Sequence, residues 1–139
     1  MTIKVNFGGV EPYSMVPPHT SLRPYIAVRL HSNGKFYDTF GLVDSGADSA
    51  LFNDQWAGVL GLVLTPGAEV PIGGIGAAGA VAWFFNIHLT VKSRRFAAQV
   101  GFSPNTPKQF GLLGRAGFFD AFNLGFDNPG VRLLYSGRP

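Results

Sequence analysis

The 139 residues contain no cysteine. That excludes a disulfide framework, a thiolate nucleophile and thiolate metal ligation, and it accords with a reducing cytoplasm. Charge is scarce as well: 14% of residues are charged against 46% hydrophobic, so part of the apolar surface is expected to be covered, most simply by a second copy of the chain. No apolar run approaches the ~18 residues of a membrane span, and Met1-Thr2-Ile3-Lys4-Val5 lacks the basic and apolar blocks of a signal peptide. The expectation is a soluble, cytoplasmic protein with no membrane partner. A net charge of +3 is too small to argue for a nucleic-acid partner. His19, His31 and His88 lack metal-ligand spacing and Ser45 sits in no GxSxG, so neither a metal, a cofactor nor serine-hydrolase chemistry is expected.

The length suits one domain. Residues 1–22 carry Gly8-Gly9, Pro12 and Pro17-Pro18 without periodicity and read as an irregular arm or edge segment; the domain proper is expected over residues 23–139. From Arg23-Pro24 onward Ile26, Val28 and Leu30 alternate with Ala27 and Arg29. Asn33-Gly34 then supplies a hairpin turn, and Phe36 to Val43 returns as a second strand. Asn53 or Asp54 can cap a short helix with Trp56, Val59 and Leu60 on one face, stopped by Gly61. Phe85 to Lys92 alternates strictly, Lys92-Ser93-Arg94-Arg95 reads as a solvated turn, and Phe96 to Phe102 as another strand. Phe110 to Gly114 reads as a short buried strand, Arg115 to Phe122 as one short helix, and residues 123–135 as a final hairpin turning at Asn128-Pro129-Gly130.

The stretch with the most chemical content is Leu42-Val43-Asp44-Ser45-Gly46-Ala47-Asp48, an apolar run ending in a carboxylate, a hydroxyl and a glycine. A carboxylate where a buried strand breaks into a turn is costly unless hydrogen-bonded or used, and such groups concentrate at functional sites. From the tripeptide alone a turn or cap is the better reading. Gly74 to Gly79 spells GxGxxG, but a strand pattern follows it where a dinucleotide fingerprint opens a helix, and no acidic residue occurs between Glu69 and Asp120 to bind a ribose. A bending glycine-rich hairpin, either a mobile cover over a cleft or a plain surface hairpin, fits the composition better.

Three of these pieces, in this order and spacing, resemble the retropepsin-like aspartic proteases, the single-lobed group that includes the retroviral enzymes. Leu42 to Asp48 resembles the catalytic loop, Pro71-Ile72-Gly73-Gly74-Ile75-Gly76 the flap, and Leu112-Leu113-Gly114-Arg115 the segment preceding the family's helix. Arg23-Pro24 resembles a dipeptide that in retroviral members reaches toward the partner subunit. The likeness spans about residues 23–127, and the Gly-Arg-x-Gly-Phe-Phe-Asp run from Gly114 to Asp120 is of a kind found in short bacterial chains. The resemblance implies an all-β fold, a closed β-barrel with a Gly-rich flap hairpin and one or two short helices, assembled as a homodimer.

It implies chemistry too. Two carboxylates sharing a proton are needed, and the chain has one Asp-Ser/Thr-Gly, so the second Asp44 comes from a second copy. By the same resemblance Asp44, Ser45 and Gly46 form the catalytic group, with Ser45 bonding across the twofold axis. Asp48, Ala47, Gly73, Gly74, Ile75, Leu112 and Phe110 contact substrate, with Leu42, Ala50 and Ile72 also forming pockets. Arg115 pairs with Asp48 in a bidentate contact, and Arg23 adds a contact from the other subunit. The expected function is a homodimeric aspartic endopeptidase acting on apolar peptides; the alternative is a catalytically weak or latent peptide-binding or dimerisation module on the same fold. Three features depart from the retroviral pattern: the arm of residues 1–22 and the terminal hairpin at the ends that build the retroviral dimer sheet, Ala116 after Gly-Arg, and Ser45 in place of the commoner Thr.

Overall fold

Period-two alternation builds most of the molecule. The computed structural model describes residues 2, 4–73 and 79–139, and among these the strands are β1 (Gly9–Pro12), β2 (Tyr25–Ser32), β3 (Lys35–Val43), β4 (Ala50–Asn53), β5 (Val70–Pro71), β6 (Val81–Val91), β7 (Arg94–Ser103), β8 (Gly111–Leu113), β9 (Phe122–Asp127) and β10 (Arg132–Gly137), with a helix α1 (Gln55–Val59). Asn33 and Gly34 have φ of 53° and 70°, the left-handed pair that a tight β2–β3 hairpin requires. Ile26, Val28 and Leu30 point inward while Ala27 and Arg29 are exposed, and Ile87, Leu89 and Val91 are buried against exposed Asn86, His88 and Lys92.

Six strands close into a barrel. β2 pairs antiparallel with β3, β3 parallel with β8, β8 antiparallel with β4, β4 parallel with β7 and β7 antiparallel with β6; β6 returns to β2 from Arg29↔Thr90 to His31↔His88. Phe52, Val100, Phe102 and Leu113 join the inward residues of β2 and β6 in the core. Each such side chain, fully buried, stabilises by about 1.5–3 kcal/mol.

A second sheet, in the order β1-β10-β9, is made from the two ends of the chain. Gly9 to Pro12 pairs with Tyr135 to Arg132, so the arm contributes an edge strand, and Leu133 and Phe122 carry this sheet into the core beside Phe96 and Phe118.

Two local expectations are corrected. Val59 is 44% exposed and Ala57 is buried in its place, with Leu60 buried and Trp56 half-buried as expected; Asn53 Oδ1 accepts from the Gln55 amide at 3.1 Å, and Gly61 ends the helix at φ 70°. Arg115–Phe122 is no continuous helix. Ala116 is extended (φ −70°, ψ 122°) and Gly117 left-handed (φ 88°), leaving one irregular turn over Arg115–Phe119 before β9 starts at Phe122. The cause is packing. A Cβ on Gly117 would lie 2.6 Å from the Ala98 methyl, and the chain uses glycine there to change direction against β7.

Candidate active site

The end of β3 is fixed before the turn begins. Gly41, Leu42 and Val43 run beside Gly111, Leu112 and Leu113 of β8, the Val43 amide donates to Pro24 O at 2.9 Å, and the Asp44 amide donates to Leu113 O at 3.0 Å. Asp44 then starts a turn closed by the Ala47 amide on its carbonyl (3.2 Å), while the Gly46 amide donates to Asp44 Oδ1 at 2.8 Å. An amide on a carboxylate oxygen fixes its rotamer. The far side of the loop is held by two backbone bonds, Arg115 N–H to Ala47 O and Ala116 N–H to Asp48 O, both 2.9 Å. Gly114 makes this approach possible, since a Cβ there would meet the carbonyl oxygens of Ala47 and Ser49 at 2.6 Å.

Asp44 opens into a cleft of about 640 Å³. Its floor is Asp44, Gly46, Ala47, Asp48 and Ser49, one wall is Val70, Pro71, Ile72 and Gly73, and Leu51, Phe84 and Leu112 give it an apolar side. The wall is the base of the glycine-rich hairpin, where Val70 and Pro71 pair with Ala82 and Val81 and the Ile72 amide donates to Ala80 O at 3.0 Å. Gly74 and Ile75, assigned to substrate contact by resemblance, lie outside the described residues.

The other candidates are placed as follows. Asp48, Ala47, Gly73 and Leu112 line the cleft with Asp44 and Gly46, and Ile72 joins them. Ser45 is exposed at the tip of the turn. Arg115 Nη2 bonds Asp48 Oδ1 in a single contact, with the side chains 63% and 85% exposed. Arg23 is half-buried, its Nε bonds Ser21 Oγ at 3.2 Å, and its backbone bridges to Ser14. Leu42 is half-buried, Ala50 fully buried, and neither lines the cleft. Phe110 is set apart from the cleft: it is buried, with ring centroids 5.0 Å from His19 and 5.2 Å from Tyr25. That cluster pushes the Tyr25 hydroxyl up from its ordinary value by burial, with the Arg23 charge acting against.

Ser49, Leu51, Val70 and Phe84 carry no signal in the motifs, whereas Pro71 opens the flap-like segment. One signal was present. Gly101 interrupts the apolar end of β7, and a Cβ there would meet Leu51 Cδ2 at 2.6 Å and Phe84 Cε1 at 2.9 Å, so this glycine lets the two side chains meet at the cleft wall. Among the described residues no group of three His, Asp or Glu stands within metal-holding range, and no helix is long and apolar enough to cross a membrane. Chemically the cleft offers one carboxylate fixed by a backbone amide, beside an apolar wall and an extended edge able to accept a strand.

The crystal structure of a retropepsin-like aspartic protease from Rickettsia conorii superposes with a TM-score of 0.63 over 95% of this chain and 96% of that one, at 15% sequence identity. The chain therefore has the retropepsin-like fold, a closed six-stranded barrel. No protein-family sequence model matches it, and no curated protein sequence does.

Proposed function

We propose that the chain is one half of a homodimeric aspartic endopeptidase whose dyad is Asp44 and its twofold-related copy. The observation that carries this is the Asp44 carboxylate, held by the Gly46 amide at 2.8 Å on the floor of a peptide-sized cleft in a retropepsin-like fold. In such a dyad two carboxyl groups about 3 Å apart cannot both ionise, and they share one proton. The ionised member takes a proton from a water molecule, whose oxygen forms a bond to the peptide carbonyl carbon while the protonated member gives its proton to the carbonyl oxygen. Collapse of the tetrahedral diol breaks the C–N bond, with a proton passing to the leaving amine.

The remaining residues position the substrate. An extended peptide lies between the catalytic loop and the Val70–Gly73 edge, with Asp48, Ala47, Gly73, Gly74 and Ile75 along its backbone and Leu112, Leu51 and Phe84 under its apolar side chains. Ser45, exposed at the loop tip, bonds its twofold mate, and Arg23 approaches from the partner. Arg115 steadies Asp48 within one subunit.

The test is digestion of an unbiased peptide library between about pH 4 and 7, read by mass spectrometry, with Asp44→Asn in parallel. Cuts made by the wild type and missing from the variant establish the enzyme and align its specificity. Equal digests, with peptides retained by both proteins, identify instead a peptide-binding module on this fold.

A further inference from the structure

A second pocket lies at the opposite end of β3 from Asp44. Lys35 begins the strand and Val43 ends it, a span of about 25–30 Å at strand rise. The pocket, of about 350 Å³, sits where β6 closes the barrel on β2. His31 is directly opposite His88 in that ladder, so both imidazoles leave the sheet on its outer face. Arg95, paired with Thr90 across β6–β7, lines the same pocket, with Ser32 and Asn86 as further donors. Lys35 lines the rim, its Nζ lying near Gly61 at the end of α1.

No Asp or Glu is among the residues lining it. The carboxylate near this face, Asp38, is engaged by Arg29 in two hydrogen bonds of 2.7 and 2.9 Å. The field at His31 is positive on balance. Burial pushes its imidazole below the ordinary value, and Arg95, Arg29 and His88 push the same way, with only Asp38 opposing. The basic run also divides cleanly: Lys92 pairs with Glu11 at 2.9 Å and Arg94 with the Arg138 carbonyl, while Arg95 forms no salt bridge among the described residues.

The geometry points to a binding site for a tetrahedral oxyanion, inorganic phosphate or a phosphomonoester, held by His31, His88 and Arg95. Two facing imidazoles alone would suit a divalent cation, but a guanidinium beside them repels one; an anion takes donors from all three, and the planar guanidinium matches a phosphate edge. The His31 Nε2···Thr90 Oγ1 contact of 2.8 Å presets one ring, so part of the ordering cost is met before binding.

The experiment titrates inorganic phosphate into the Asp44→Asn protein, which makes it independent of the protease reading. Imidazole NMR resonances and melting temperature are followed, with chloride at matched ionic strength as the control. Saturable shifts at His31 and His88 with a raised melting temperature are expected, and Arg95→Gln or His88→Gln, both at exposed positions, weakens binding by about tenfold or more. Tighter binding of phosphoserine than of phosphate identifies a monoester ligand; equal binding identifies the free ion. Shifts that do not saturate, that chloride reproduces, or that both variants retain overturn the site.

Discussion

The Gly46 amide and the Asp44 carboxylate, two residues apart, are joined by a 2.8 Å hydrogen bond that sets where the acid points. One atom limits the room there. A Cβ on Gly46 would stand 3.2 Å from Asp44 Oδ1, close enough that the carboxylate must give by a few tenths of an ångström. Gly46→Ala is therefore expected to fold with a melting temperature near that of the parent and to lose about ten- to a hundredfold in kcat, since small misplacements of reacting groups are costly. A variant with full turnover would show that this bond does not position the acid.

Gly114 makes the opposite case, because what surrounds it is backbone. The carbonyl oxygens of Ala47 and Ser49 stand 2.6 Å from where its Cβ would be, and neither can rotate away. Gly114→Ala is expected to cost about 1–3 kcal/mol of stability as an overpacked site. Chemical denaturation reads this directly, and an unchanged midpoint would mean that the strand and the Asp44–Asp48 loop slide apart without penalty.

These two glycines show how much of the site was legible in the sequence. Leu42-Val43-Asp44 reads as a buried strand breaking at a carboxylate, and it is one; Asn33-Gly34 and the alternation from Phe85 to Val91 give their hairpin and strand for local steric reasons. What was not legible depends on contacts distant in sequence. Gly9↔Tyr135 pairs the two ends of the chain, Phe110 turns to His19 and Tyr25 in place of the cleft, and Gly117 breaks a helical pattern because Ala98 lies against it. Apolarity marks a residue for burial without saying which neighbours it will bury against.

The Asp48–Arg115 pair is exposed on both sides, so its side chains are expected to contribute under about 1 kcal/mol. Backbone bonds from Arg115 to Ala47 and from Ala116 to Asp48 already hold the loop to the turn after β8. Arg115→Gln should leave the melting temperature within a few degrees of the parent while raising KM if Asp48 receives substrate backbone. A large loss of stability would instead make the ion pair the structural tie.

Acid should weaken the terminal hairpin, as it should the Arg29–Asp38 pair. Arg132 Nε bonds Asp127 Oδ2 at 2.9 Å and the Gly130 amide bonds Oδ1 at 3.1 Å, and these, in that order, hold the Asp127 carboxyl below its ordinary value of 3.8. A depressed folded-state value adds stability that is present above the unfolded value and lost as pH falls below 3.8 through the folded one. The effect is modest because the pair faces solvent. Asp127→Asn should flatten the acid limb of the stability curve and leave its neutral region nearly level apart from the lost ion pair, measured by denaturation at stepped pH.

The pairing of β1 with β10 bears on how two copies meet. Retroviral members build their dimer sheet from chain ends, whereas here both ends are paired within one chain and Leu133 is buried beneath them. On the proposed dyad, a dimer brings two Ser45 tips together, and Met15 (55% exposed) and Leu22 (50% exposed) offer apolar surface on the arm. Activity should follow the dimer, so specific activity falls on dilution through its dissociation constant. Mixing supplies the sharper measurement. Asp44→Asn chains exchanged into an equal amount of wild type leave about one dimer in four with both acids, so total activity drops to about half that of the wild type alone. A monomeric enzyme would keep all of its activity in the same mixture, and that outcome would remove the shared dyad.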